Sequence, residues 1–122
     1  MNRYSLLSVV ALTLGSLSLN ALAADNTTST KRGRDTYMKT GCYHCHGTQG
    51  QGSGAGLKLA PEPLPAEAIA QFIRGSTGPM PAYSEKVLAD AEVADIAAYL
   101  RSIPAARSAD SIPALKGLKP TR

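Results

Sequence analysis

Residues 41–46 read GCYHCH, so Cys42, His44, Cys45 and His46 fall within five consecutive positions. Thiols and imidazoles crowded this closely serve few chemistries. A structural zinc ion draws its four ligands from two short pairs set a dozen or more residues apart, and four side chains on one such segment cannot all turn inward on one ion. A redox dithiol with C-x-x-C spacing needs a βαβ scaffold with β-rich strands. Here a helical pattern precedes the segment and a glycine-rich stretch comes after it. Covalent attachment of a haem is the remaining use. In C-x-x-C-H the two cysteines add to the vinyl groups and the following histidine ligates the iron, which gives Cys42, Cys45 and His46 one joint task. A plain Cys42–Cys45 disulfide is the alternative, and it would close only a very short loop. His44, between the cysteines, is expected at the surface.

A bound porphyrin also answers a difficulty of size. The chain has 122 residues, 43% of them hydrophobic and 18% charged, which fits one small globular domain. Its opening does not belong to that domain. Arg3, the apolar run 6–19 and Ala21-Leu22-Ala23 have the order of a secretory signal peptide over 1–23, and the run is shorter than a membrane span needs. Export to a bacterial periplasm or equivalent compartment is therefore expected. The remaining residues, 24–122, contain no Trp, and their aromatic residues are Tyr37, Tyr43, Phe72, Tyr83 and Tyr99. Such a chain is short of apolar bulk, and it has no set of disulfides to compensate. A large flat apolar cofactor would fill the centre.

Periodicity gives an all-α fold, with helices and loops around the cofactor. Residues 26–41 read as a first helix, with Ser29 or Thr30 as N-cap and Gly41 as stop. Residues 24–30 are then a short linker. The stretch 47–65, rich in Gly and Pro, has no period and is a long loop. Pro65 can start a second helix in which Ile69, Phe72 and Ile73 form a stripe before Gly75. Residues 76–84 form a rigid connector. A last helix over about 90–103 carries Val93, Ile96, Ala97, Leu100 and Ile103 on one face and stops at Pro104. The domain thus spans 31–104, with a basic tail over 105–122. In the tail Arg107, Lys116, Lys119 and Arg122 face Asp110 alone, with Ile112, Leu115 and Leu118 spaced by threes. It reads either as a strap across the domain or as an element that docks on a partner.

Without Arg3 the chain holds 12 basic and 9 acidic side chains, a net charge of about +3. The cations sit mostly near Lys31–Lys39 and from Arg101 into the tail, with no basic surface interleaved with aromatics, so nucleic acid is not an expected partner. The asymmetry could instead orient a protein partner.

The sixth iron position decides between electron transfer and ligand chemistry. Met1 belongs to the signal segment, and Met38 is tied by sequence to the side of His46. Met80, in Gly78-Pro79-Met80-Pro81, sits on a stiff loop with prolines on both sides. Soft thioether sulfur favours reduced iron and blocks small ligands.

With GCYHCHG, the MPAYS loop and ADAEVADIAAYLRSIP (89–104), residues 31–104 resemble a class I c-type cytochrome. The resemblance implies a small all-α fold of three to four helices around one covalent haem c, held by Cys42 and Cys45 with His46 and Met80 on the iron. It also implies that the first helix crosses the last, so that Gly33 and Tyr37 meet Ile96 and Tyr99. Two positions depart from the family. Leu57 follows Gly56 where a proline often supplies the carbonyl for the proximal histidine, which leaves the identity of that carbonyl open. Ala89 stands where Ser or Thr often caps the last helix, so Asp90 is expected to take over the cap at a shifted boundary. The function implied is that of a periplasmic one-electron carrier, not an enzyme, accepting electrons from a dehydrogenase and passing them to another cytochrome or a terminal oxidase. Similar small cytochromes serve as electron-accepting subunits of periplasmic dehydrogenases. The alternative is a haem enzyme or gas sensor with an open distal site, for which His44 is the spare histidine and lies on the wrong segment.

Overall fold

The computed structural model describes residues 25–115; the expected signal segment, 1–23, and the end of the tail, 116–122, lie outside the described residues. Four helices and no strands are found among them: α1 (25–39), the single turn α2 (Tyr43–His46), α3 (Ala66–Arg74) and α4 (Asp90–Ser102).

Helix α1 starts ahead of the expected cap at Ser29 or Thr30, and from residue 25 onward the expected linker is helix. Two side-chain pairs brace the helix from the expected cap onward. Arg32 Nη2 donates to Ser29 Oγ (3.0 Å), and Lys31 pairs with Asp35 one turn on (2.9 Å). Helix α3 keeps its expected limits, flanked by Pro65 and Gly75. Helix α4 starts at Asp90 with Ala89 as N-cap, and the expected cap by Asp90 is not made. The Glu92 carboxylate instead accepts the Ala89 N–H (2.9 Å), which is half of a capping box. The Asp90 side chain is engaged elsewhere, by Arg74.

Helices α1 and α4 cross where Gly33 lies. A β-carbon there would run into the carbonyl of Asp95, so only glycine allows this approach. One turn along each helix the rings of Tyr37 and Tyr99 meet at 5.6 Å between centroids, tilted by 58°. At the rim, Arg32 grips Asp95 through both oxygens (2.7 and 2.9 Å). The hydrogen bond from Arg32 holds the Asp95 carboxyl below the usual carboxylate range. Its stabilising effect is therefore complete above the unfolded Asp pKa and is lost as pH falls through the lower folded value. Gly33→Ala is expected to separate the helices and cost about 2 kcal/mol, which lowers Tm by roughly 10 °C for a domain of this size. An unchanged melting curve would show that the crossing tolerates a methyl group.

The core consists mainly of Tyr37 from α1, Ala70 and Ile73 from α3, Val93, Ile96, Ala97, Tyr99 and Leu100 from α4, and Leu88 just before α4. Beyond α4 the tail forms two 3₁₀ turns, Ala109–Ser111 and Pro113–Leu115, closed by Arg107 Nη2 donating to Ser111 O (2.8 Å). Neither Ile112 nor Leu115 is among the side chains packed on the core. The described part of the tail therefore gives no support to the strap.

Candidate functional site

A cavity of about 400 Å³ opens between α1, α3, α4 and the connecting loops. Its walls are almost wholly apolar. Tyr37, Ile73, Leu88, Val93, Ile96 and Leu100 line it from the core, and Leu57, Leu64 and Phe72 stand at its rim, 78%, 60% and 63% exposed. Phe72 and Ile69 belong to the expected α3 stripe. Both line this chamber, and Ile69 also packs on the core.

Of the four site residues read from the sequence, Cys42, His46 and Met80 line this one cavity. Cys45 is half-buried and does not line it; the glycine loop closes on its backbone, and Ser53 Oγ donates to its carbonyl. Both cysteines carry free thiols. Burial pushes the Cys42 thiol up from its ordinary pKa, against the pull of a contact with Thr40 Oγ1 at 3.3 Å. His44 is exposed; its ring stacks on Tyr43 at 4.0 Å and its Nδ1 lies 3.1 Å from Gly41 O. It takes no part in the cavity wall. Among the described residues no three His, Cys, Asp or Glu side chains are grouped so that they could hold a metal ion.

Helix α2 presents these side chains. Its single turn comes after Gly41 and ends at Gly47, whose φ of 77° lets the chain leave at once into the loop. Three tyrosine hydroxyls then pin the backbone around it. Tyr37 donates to Gly47 O (2.8 Å), Tyr99 to Thr48 O (2.7 Å) and Tyr83 to Thr40 O (2.7 Å). Burial raises the pKa of both Tyr37 and Tyr83, so these phenols remain protonated donors.

His46 Nδ1 lies 2.8 Å from Leu57 O, which supplies the carbonyl that the sequence left open. With Nδ1–H donating there, the Nε2 lone pair is free for a metal, and the ring orientation is fixed. Met80 reaches the cavity from the 76–84 loop, where Ser76 Oγ donates to its carbonyl (2.7 Å).

The residues present fit a haem c. The chamber is apolar and large, the Cys42 thiol lines it with that of Cys45 three residues on, and an imidazole with one nitrogen committed and a thioether on a separate loop complete the donor set. Sequence reasoning missed the destinations of the tyrosine hydroxyls, Ser76 and Arg74. Of these only Arg74 left a trace, as the cation ending α3 just before Gly75.

Comparison with known proteins agrees with this geometry. The family described as cytochrome c oxidase, cbb3-type, subunit III matches residues 28–100, more than half of the chain. No curated protein and no solved structure matches it.

Proposed function

Because the chain belongs to the family of cytochrome c oxidase, cbb3-type, subunit III, and is a small c-type cytochrome, we propose that it is an exported one-electron carrier with His46 and Met80 as its iron ligands. The observation that carries this reading is that the two residues, on separate segments, line one apolar cavity together with Cys42. When bound, haem iron supplies one-electron exchange between its ferrous and ferric states.

The chain's own residues make that exchange reversible. Cys42 and Cys45 fasten the group by thioether bonds, so it stays with the protein in both oxidation states. His46 offers Nε2 while Leu57 O holds the proton of Nδ1, which keeps the same tautomer throughout. The Met80 thioether favours the reduced form and excludes small ligands. The apolar walls keep water from the centre, so little rearranges when the charge changes. A peroxidatic or gas-sensing role would need an open position, and peroxidatic chemistry an acid–base residue beside it as well. The spare histidine, His44, lies outside the cavity wall.

In this reading electrons come from a dehydrogenase and leave to another cytochrome or a terminal oxidase, and the family's name favours an oxidase as the acceptor. The signal-like segment 1–23 supports a periplasmic location. No helix among the described residues is long and apolar enough to cross a membrane. The test is stoichiometric: the reduced protein should be oxidised completely by one equivalent of ferricyanide, reduced again without loss, and inert to hydrogen peroxide. Sustained peroxide turnover would favour the enzyme.

A further inference from the structure

We propose that Arg74 is the positioning residue for Met80, clamping the far end of the methionine loop to the start of α4. The inference rests on Met80 being an iron ligand, as proposed above.

Met80 sits on a loop that leaves the end of α3 and returns to it. The outgoing side is tied by Ser76 Oγ to Met80 O (2.7 Å). On the return, Tyr83 N donates to Ile73 O (2.9 Å), and the Tyr83 hydroxyl reaches across to Thr40 O (2.7 Å), two residues before Cys42. The Arg74 guanidinium completes this junction. Nη1 donates to Tyr83 O (2.9 Å), and Nη2 donates to Leu88 O (2.7 Å) and to Asp90 Oδ1 (2.8 Å). One planar group at the end of α3 thus joins three points further along the chain: the end of the loop at Tyr83, the buried Leu88 just before α4, and Asp90 in the first turn of α4.

Only an arginine can do this. Its fork presents several donors in fixed directions, whereas a lysine ammonium is a single point charge at the end of a flexible stem. The Arg74 side chain is 25% exposed and two of its acceptors are backbone carbonyls. Without it Tyr83 O and Leu88 O lose charge-assisted partners, which are stronger than neutral ones. The returning limb of the loop is then held by the two Tyr83 hydrogen bonds without the clamp to α4, and Met80 is held less firmly with it. The other long-range arginine pair, Arg32–Asp95, fastens α1 to α4 and has no contact with the methionine loop. It therefore serves as a control for stability alone.

The experiment titrates imidazole into the oxidised, haem-loaded protein, because imidazole competes directly with Met80 for the iron. Arg74→Gln is expected to bind imidazole about tenfold more tightly than the parent, the effect of losing one to two charge-assisted hydrogen bonds on the competing ligand. Arg74→Lys, which keeps the charge beside Asp90, is expected to move in the same direction by less, and it carries the test if the glutamine variant does not accumulate. Arg32→Gln should lower Tm and leave imidazole affinity where it was. Equal imidazole affinity in the parent and the Arg74 variants overturns the inference, as does an equal shift in Arg32→Gln. A parent that lacks the sulfur-to-iron absorption band overturns the Met80 reading itself, an outcome distinct from a parent with the band and unmoved Arg74 variants.

Discussion

Met80→Ala is expected to retain its haem and to bind carbon monoxide stoichiometrically once reduced, where the parent binds none. Attachment depends on Cys42, Cys45 and the α2 turn, all of which lie on other segments than the 76–84 loop. Truncation at Met80 removes the thioether and leaves His46 and its bond to Leu57 O in place. The sixth position then opens within an apolar chamber, which suits a small neutral ligand. Loss of the soft sulfur should also lower the midpoint potential, since that sulfur stabilises reduced iron. In the optical spectrum of the oxidised variant the sulfur-to-iron band should be absent. Free binding of carbon monoxide by the parent would contradict the assignment of Met80.

The Cys42→Ala, Cys45→Ala double variant, exported normally, is expected to lose most of its folded population. The cavity that the thioether-linked group would fill measures about 400 Å³. At roughly 24 cal/mol per Å³ of unfilled volume, a void of that size costs at most on the order of 10 kcal/mol. The mouth is open, so the actual cost is smaller, yet a domain of this kind has only about 5–15 kcal/mol in total. The wall residues show how little else is present. Leu57, Leu64 and Phe72 have no apolar partner to cover their outer faces, and the core proper is built largely from Tyr37 and one face of α4. Circular dichroism should show weak helicity and a broad melt. A compact double variant with a sharp transition would mean that the helices support themselves.

Features legible in the sequence were local ones. The C-x-x-C-H spacing, the prolines about Met80, and the limits of α3 at Pro65 and Gly75 each depend on neighbouring residues, and the structure has them in the expected places. The meeting of Gly33 and Tyr37 with α4 was expected from the resemblance to class I c-type cytochromes, and the structure has it, with Gly33 against the backbone of Asp95 and Ile96 and the Tyr37 ring meeting Tyr99. Other features depend on how the long loops close. Nothing about Leu57 distinguishes its carbonyl from that of Lys58 until the glycine loop folds back onto α2 and brings it to His46. Arg74 looks like an ordinary cation at a helix C-terminus, a place such residues favour in any case. Its three acceptors, at positions 83, 88 and 90, come together only when the methionine loop returns. Ala89 misled for a similar reason. Its lack of a capping oxygen suggested that the boundary would shift to Asp90, whereas Glu92 capped from within the helix and left Asp90 to Arg74.

The most direct test of the account is the mass of the exported protein after denaturation in acid. A covalent haem adds its mass to the chain and survives denaturation, and proteolysis with trypsin places it on the peptide 40–58, which contains Cys42, Cys45 and His46. One haem per chain is expected on that peptide and none elsewhere. A chain of unmodified mass, or one lighter by the two hydrogens of a Cys42–Cys45 disulfide, would contradict it.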